Sequence, residues 1–206
     1  MIARHIHHAL AQVQELQQKV LEKQRFKGYS GRARAIDGTV ALAATLVMAS
    51  RHFPKHFLPH FLGWAVVFTM AVTINYGALI YWFLFDPTVK RDYRRLKPVF
   101  DIIPPLFVGG VLTLALVMRG HYDLLFGTWM CLFGLANIAT RHVLPRAITL
   151  VGMAYVFSGT TCLLSPGIEF TNPWPLGMVF FLGEWAGGLV IHYDGLPPFL
   201  TSKSTD

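Results

Sequence analysis

The stretch FLGWAVVFTMAVTINYGALIYWFLF, residues 61–85, decides the class of fold. Its 25 residues include no Asp, Glu, Lys or Arg. A helix needs about 17–25 predominantly apolar residues to cross the hydrocarbon core of a bilayer. The stretch therefore predicts a membrane-spanning helix that is long enough to tilt.

Five further apolar runs flank this stretch, separated by short connections. They are Ile36–Ser50, Ile102–Met118, Tyr122–Ile138, Ala147–Leu164 and Pro175–Ile191. Charged residues make up 14% of the chain, against about 25% in soluble domains. We therefore predict an all-α, polytopic membrane protein with a bundle of six transmembrane helices. The first run is short, and it reaches a spanning length if it extends back past Arg34 and this side chain snorkels to the headgroups.

Basic residues are unevenly divided between the connections. Of the 18 Lys and Arg residues, 15 fall in the N-terminal segment, in every second connection after it and in the C-terminal tail. The other three are Arg51, Lys55 and Arg119. Because basic residues collect on the cytoplasmic side, we predict an inner (plasma) membrane protein with both termini in the cytoplasm. Anionic headgroups then account for the net charge of +7, and no nucleic-acid partner is expected.

The chain divides into three segments: residues 1–34, a cytoplasmic amphipathic helix with a basic linker; residues 35–191, the transmembrane domain; and residues 192–206, a short cytoplasmic tail. The first segment has an apolar seam whose members are spaced alternately four and three residues apart, as in a heptad repeat. The seam consists of Ile2, Ile6, Ala9, Val13, Leu16 and Val20. This pattern predicts pairing through residues 2–24, with a second copy or a partner helix. An amphipathic helix lying on the membrane surface is the alternative.

Glu184 lies in the middle of the last apolar run. A carboxylate at that depth is costly unless it is paired, hydrated or protonated. No Lys or Arg falls at the same depth when residues are counted from the ends of the runs. We therefore expect a protonated carboxyl that donates a hydrogen bond and serves as a proton or substrate site, or else as a buried polar cluster that fixes helix register. Four side chains at matching depth are its expected neighbours: Asn75, Tyr76, Tyr155 and Ser158.

Two glycines, Gly183 and Gly187, flank Glu184 and predict close helix packing, either within the monomer or at a dimer seam. At the predicted cytoplasmic face, Asp37 is expected to cap the first helix. Four polar groups lie at that face, and they are Asp37, Asn137, Arg141 and His142. The last two suit a helix C-terminus near anionic headgroups.

Three histidines, His52, His56 and His60, recur at every fourth position in the first external connection. They are candidate metal ligands, but Pro54 and Pro59 argue against the regular helix that would align them. The alternative is an interfacial loop whose phenylalanines enter the lipid. No cofactor is expected.

Residues from Phe107 to Gly195 resemble a set of small bacterial multi-pass inner-membrane proteins of unknown function. The resemblance rests on Gly120–Leu125, Gly127–Trp129, Arg141–Gly152 and the glycine-rich last run. It implies a bacterial inner-membrane location and no particular activity.

Three functions fit the sequence. The first is a non-enzymatic membrane module that oligomerises or binds a partner. The second is a small proton-coupled transporter or channel that uses Glu184. The third is a lipid-acting enzyme, which requires the four groups of the cytoplasmic face to converge. The chain lacks the Gly-rich phosphate-binding loop, the HExxH metalloprotease motif and the nucleophile elbow of hydrolases.

Reporter fusions test the predicted topology. A cytoplasm-active reporter fused after Arg94 is expected to be active, and one fused after His56 inactive. The reason is that fifteen basic residues lie in segments predicted to be cytoplasmic and three lie in segments predicted to be external. Equal activity at the two positions would contradict the alternation of crossings.

Overall fold

The computed structural model describes residues 13, 29–85, 100, 102–142 and 144–194. Six helices occupy this part of the chain, and single turns of 3-10 helix lie on either side of α4. The helices are α1 Gly31–Ala49, α2 Phe57–Phe85, α3 Ile103–Met118, α4 Leu125–Ala139, α5 Arg146–Leu164 and α6 Trp174–Asp194. The predicted all-helical class is confirmed for these residues, which include no strand.

Four stretches of helix are long and apolar enough to cross a membrane. They are α2, α5, most of α6, and α4 together with the 3-10 turn that precedes it. Helix α3 is apolar but shorter, with 16 residues. Helix α1 carries three charged residues, Arg32, Arg34 and Asp37, which set it apart from the other five.

Two helices begin four or five residues earlier than the sequence predicted. Helix α1 starts at Gly31, and its N-cap is Ser30, whose Oγ accepts a hydrogen bond from the Ala33 amide at 3.3 Å. The prediction that Asp37 caps this helix is therefore wrong, since Asp37 lies in its second turn. Helix α2 starts at Phe57 and so includes Pro59, which the first turn of a helix tolerates because its missing N–H has no partner there.

The bundle is built on two closely packed antiparallel helix pairs, α1 with α6 and α4 with α5. Helices α5 and α6 join the pairs, while α2 lies against α1 and α3 lies against α4. Helix α3 has no buried residue, and α2 buries only His60, Trp64 and Leu79. The two peripheral helices therefore present broad apolar surfaces outward, as lipid-facing helices do.

Glycines set the closeness of the α4–α5 pair. A Cβ placed on Gly134 would lie 2.6 Å from the carbonyl oxygen of Gly152, and one on Gly152 would lie 2.8 Å from the carbonyl oxygen of Gly134. One side of each contact is backbone, which moves less easily than a side chain. Without a hydrophobic effect to drive helices together in lipid, such close van der Waals packing supplies much of their association energy.

Substitution at Gly134 tests this packing. We expect Gly134→Ala to lower the free energy of unfolding by about 1–3 kcal/mol, because the added methyl overpacks the contact between α4 and α5. Gly77→Ala is the matched control, since a Cβ there meets no heavy atom within 4 Å. It should be neutral or stabilising by up to about 1 kcal/mol. Unfolding by sodium dodecyl sulfate in mild detergent measures the stability of both variants. Equal effects of the two substitutions would contradict the close packing of α4 against α5.

A buried ion pair and its polar neighbours

Glu184 is the eleventh of the 21 residues of α6 and is 4% exposed. Both of its carboxylate oxygens accept hydrogen bonds from Arg34 on α1. Arg34 Nε donates to Oε2 at 2.8 Å, and Nη2 donates to Oε1 at 2.8 Å. This two-pronged geometry is the strongest that a guanidinium and a carboxylate form.

Two expectations about Glu184 and Arg34 are wrong. Arg34 does not snorkel away from the bundle but is buried at 7% exposure. Glu184 is not a lone carboxyl that donates a hydrogen bond, because it accepts from a cation. The physical reason is helix register: the first turn of α1 packs at Gly31 against Gly188, which brings Arg34 beside the middle of α6. The sequence-based depth of each residue was counted from the end of its apolar run. That count is correct only if all the helices begin at the same depth in the membrane.

The position of Arg34 on α1 does not by itself favour a cation. Arg34 is in the first turn, where the helix dipole presents its positive end. Burial adds a desolvation cost of several kcal/mol for each ion. The negative charge of Glu184 offsets both the unfavourable helix dipole and the desolvation cost. The buried cation on α1 is therefore stable only because α6 carries a carboxylate beside it.

Two more helices contribute to the cluster. The Tyr155 hydroxyl of α5 donates to Glu184 Oε1 at 3.0 Å, so the contact expected for this residue is present. Arg34 Nη1 donates to Asn137 Oδ1 of α4 at 3.0 Å, and Asn137 Nδ2 donates to the Phe133 carbonyl at 2.9 Å. The ion pair therefore connects α1, α4, α5 and α6 through side chains.

Gly183 and Gly187 make room for the partners of Glu184. A Cβ on Gly187 would lie 2.7 Å from Arg34 Cζ, and a Cβ on Gly183 would collide with the Tyr155 ring. The close packing predicted for this GxxxG pair is present within the monomer. Its contacts are with the Arg34 and Tyr155 side chains, whereas the neighbouring Gly188 makes a backbone contact with Gly31 of α1.

Asp37 lies on the same helix as Arg34 and contacts α2. Asn75 Nδ2 donates both to Asp37 Oδ2 and to the Ala71 carbonyl. Asn75 was expected beside Glu184, and this expectation is wrong because α2 packs against α1 on a different side from α6. The hydrogen bonds described for Glu184 come from Arg34 and Tyr155, and neither Tyr76 nor Ser158 is among its donors.

The remaining candidates fall into separate places. Arg141 is exposed in the 3-10 turn after α4, and the His142 side chain lies outside the described residues. The N-terminal seam also lies outside them, except that Val13 is helical and 50% exposed. The pairing predicted for residues 2–24, like its alternative of a helix on the membrane surface, therefore stays a prediction.

The three histidines are not brought together. His60 is fully buried in α2, with its ring edge-on to Phe53 at a centroid separation of 5.0 Å. His52 and His56 are exposed. Over the described part of the chain, no three His, Cys, Asp or Glu side chains are grouped as metal ligands.

Arg34 was the residue that sequence reasoning missed, although a signal for it exists. It is seven residues before Ala41 and fourteen before Met48, and all three are buried on the face of α1 that meets the bundle. Two turns of helix bring a side chain back to nearly the same face. An arginine in register with buried small residues is thus expected to point inward.

Comparison with known proteins gives no relative for this chain. No protein-family model matches it. Searches of curated proteins and of solved structures also find no match. The geometry of the chain itself therefore carries the functional argument.

Alanine substitutions test the ion pair. Arg34→Ala is expected to lower the free energy of unfolding by about 3–5 kcal/mol, because Glu184 is left buried without its counter-ion. Arg32→Ala, two residues earlier and exposed, is the matched control and should change it by less than about 0.5 kcal/mol.

The double variant Arg34→Ala/Glu184→Ala should cost less than the sum of its single substitutions, since neither charge then remains alone. A double-mutant cycle measured by detergent unfolding gives this coupling directly. Additive costs, or an Arg34→Ala cost no larger than that of Arg32→Ala, would contradict the role of the pair.

Proposed function

We propose that the chain is a non-enzymatic integral membrane module of the inner membrane that self-associates through its N-terminal helix. The observation that carries this proposal is the closure of the Glu184 cluster. Both carboxylate oxygens are occupied by Arg34 and Tyr155, so the group is committed to holding helices together.

The closed cluster weakens the transporter reading based on Glu184. A proton carrier needs a carboxyl that exchanges with water, and Glu184 is 4% exposed. Two surface cavities have volumes of about 270 and 450 Å³, and Glu184 lines neither of them. The first lies around Phe57, Tyr122 and Phe170, and the second around Pro145 and Leu189.

The enzyme reading also loses support. It required the four polar groups of the cytoplasmic face to converge on one site. Asn137 is buried and accepts a hydrogen bond from Arg34, whereas Asp37 contacts α2 through Asn75. Arg141 lies exposed beyond the end of α4.

A six-span topology with both termini in the cytoplasm belongs to this proposal. The charges that make α1 look too polar to span, Arg34 and Asp37, are buried in the bundle, and neither faces lipid. Helix α3, at 16 residues, measures ~24 Å at 1.5 Å per residue. That is a few Å short of the hydrocarbon thickness, a mismatch that local thinning of the bilayer accommodates.

The N-terminal seam supports a second copy of the chain as the partner. Its β-branched residues Ile6, Val13 and Val20 fall at one alternate set of seam positions, a distribution that suits a two-stranded parallel coil. Val13 is apolar, helical and 50% exposed in the single chain. A seam of under three heptads gains stability when a membrane domain concentrates the two copies.

Two variants test the seam. Val13→Glu places a charge in it, and we expect the association constant of the dimer to fall by at least about tenfold, which corresponds to about 1.4 kcal/mol of lost association. Gln14→Glu adds the same charge beside the seam and should leave the dimer fraction unchanged. Deleting residues 2–24 should abolish the dimer and leave the membrane domain folded.

Size-exclusion chromatography with light scattering in detergent measures the dimer fraction. A monomeric wild-type chain, or a dimer that survives the deletion, would overturn the proposed self-association. A monomer that captures a different helix through residues 2–24 would identify a partner-binding module instead.

A further inference from the structure

The charges buried around α1 do not balance. Arg34 supplies one positive charge, whereas Glu184 and Asp37 supply two negative charges when both are ionised. Each of the three side chains is buried, with at most 7% of its residue exposed, so water does not screen the difference. An unpaired buried carboxylate is unstable and gains a cation or a proton.

None of the hydrogen bonds described for Arg34 goes to Asp37. Its Nε and Nη2 donate to Glu184, and its Nη1 donates to Asn137. The guanidinium therefore acts on Asp37 only through space. The second carboxylate has to be neutralised by something other than the ion pair.

Asp37 also has an oxygen without a partner. Asp37 Oδ2 accepts from Asn75, while Oδ1 is buried and makes no hydrogen bond with the residues described. Buried polar atoms in native proteins nearly always have partners, so an orphan atom indicates a bound group. A proton on Oδ1 removes the unpaired charge, which costs far more to bury than a neutral hydroxyl does.

The surroundings of Asp37 favour this neutral form. The charged groups that face it are Arg34 on its own helix and Glu184 on α6, whose charges cancel each other. Helix α2 contributes the neutral amide of Asn75, held in orientation by its second bond to the Ala71 carbonyl.

We propose that Asp37 and Asn75 form a proton-binding site at the contact between α1 and α2. With the proton bound, the Asp37 carboxyl is neutral and α2 stays packed on α1. When the proton leaves, the cluster carries one excess negative charge and the contact weakens. A proton-coupled activity of this bundle would then depend on Asp37, while Glu184 stays locked to Arg34.

The variant Asp37→Asn tests the site, because asparagine keeps the shape of aspartic acid without a titratable proton. The full-length chain is unfolded with sodium dodecyl sulfate at several values between about pH 6 and pH 9, above the ordinary titration range of aspartic acid. Asp123→Asn is the matched control, since Asp123 is exposed in the turn before α4.

The sign follows from linkage. If the folded chain holds one proton that the unfolded chain has released, the folded-to-unfolded ratio falls by up to about tenfold for each pH unit gained. We expect this decline in the wild-type chain and in Asp123→Asn, and a flatter profile in Asp37→Asn. Profiles of equal slope for wild type and Asp37→Asn would overturn the proposal.

Two further measurements complete the test. Replacing sodium by an organic cation at constant ionic strength, both in the buffer and as the counter-ion of dodecyl sulfate, should change nothing. A sodium-dependent stabilisation that Asp37→Asn removes would assign the site to a metal cation instead. Infrared spectra of the wild-type chain labelled with ¹³C-aspartate should show a protonated carboxyl band at neutral pH. Absence of that band would overturn the proposal even if Asp37→Asn failed to fold.

Discussion

The two-pronged contact between Arg34 and Glu184 is the constraint on which the rest of the bundle depends. A guanidinium and a carboxylate that each lose their water need one another, and the two-pronged geometry satisfies both carboxylate oxygens. That geometry fixes how far α1 is shifted along α6. It also places the first turn of α1 beside the C-terminal half of α6, where Gly31 meets Gly188 and His192. This contact sets the position of the other residues on the inner face of α1.

The neighbouring helices are shaped around this contact. Gly187 leaves space for the guanidinium and Gly183 for the Tyr155 ring. Asn137 occupies the third nitrogen of Arg34, so α4 and α5 are connected to the pair that α1 and α6 form. Small residues elsewhere let backbones approach, whereas Gly183 and Gly187 of α6 let large polar side chains fit. This difference explains why one short glycine-rich segment contains the acid, both spacers and the contact to Gly31.

Much of the fold follows from the sequence because apolar length is a strong signal. Residues 61–85 predicted α2 to its last residue, and all six apolar runs became helices. The acid at 184 and the partner at Tyr155 were also predictable from depth. The pairing with Arg34 was not, because depth was measured from the end of each run, and that measure does not include the shift between α1 and α6. Asp37 was misread for a related reason: a cap was assigned at the first apolar residues, whereas Ser30 caps a helix that starts five residues earlier.

The most direct measurement of the central claim is a solid-state nuclear magnetic resonance distance in lipid bilayers. The chain is labelled with ¹⁵N on arginine guanidinium groups and ¹³C on glutamate carboxyl groups, and dipolar recoupling detects pairs within hydrogen-bonding range. We expect one strong coupling that disappears in Arg34→Lys and persists in Arg32→Lys. A spectrum without a coupling that depends on Arg34 would contradict the buried ion pair and the helix register built on it.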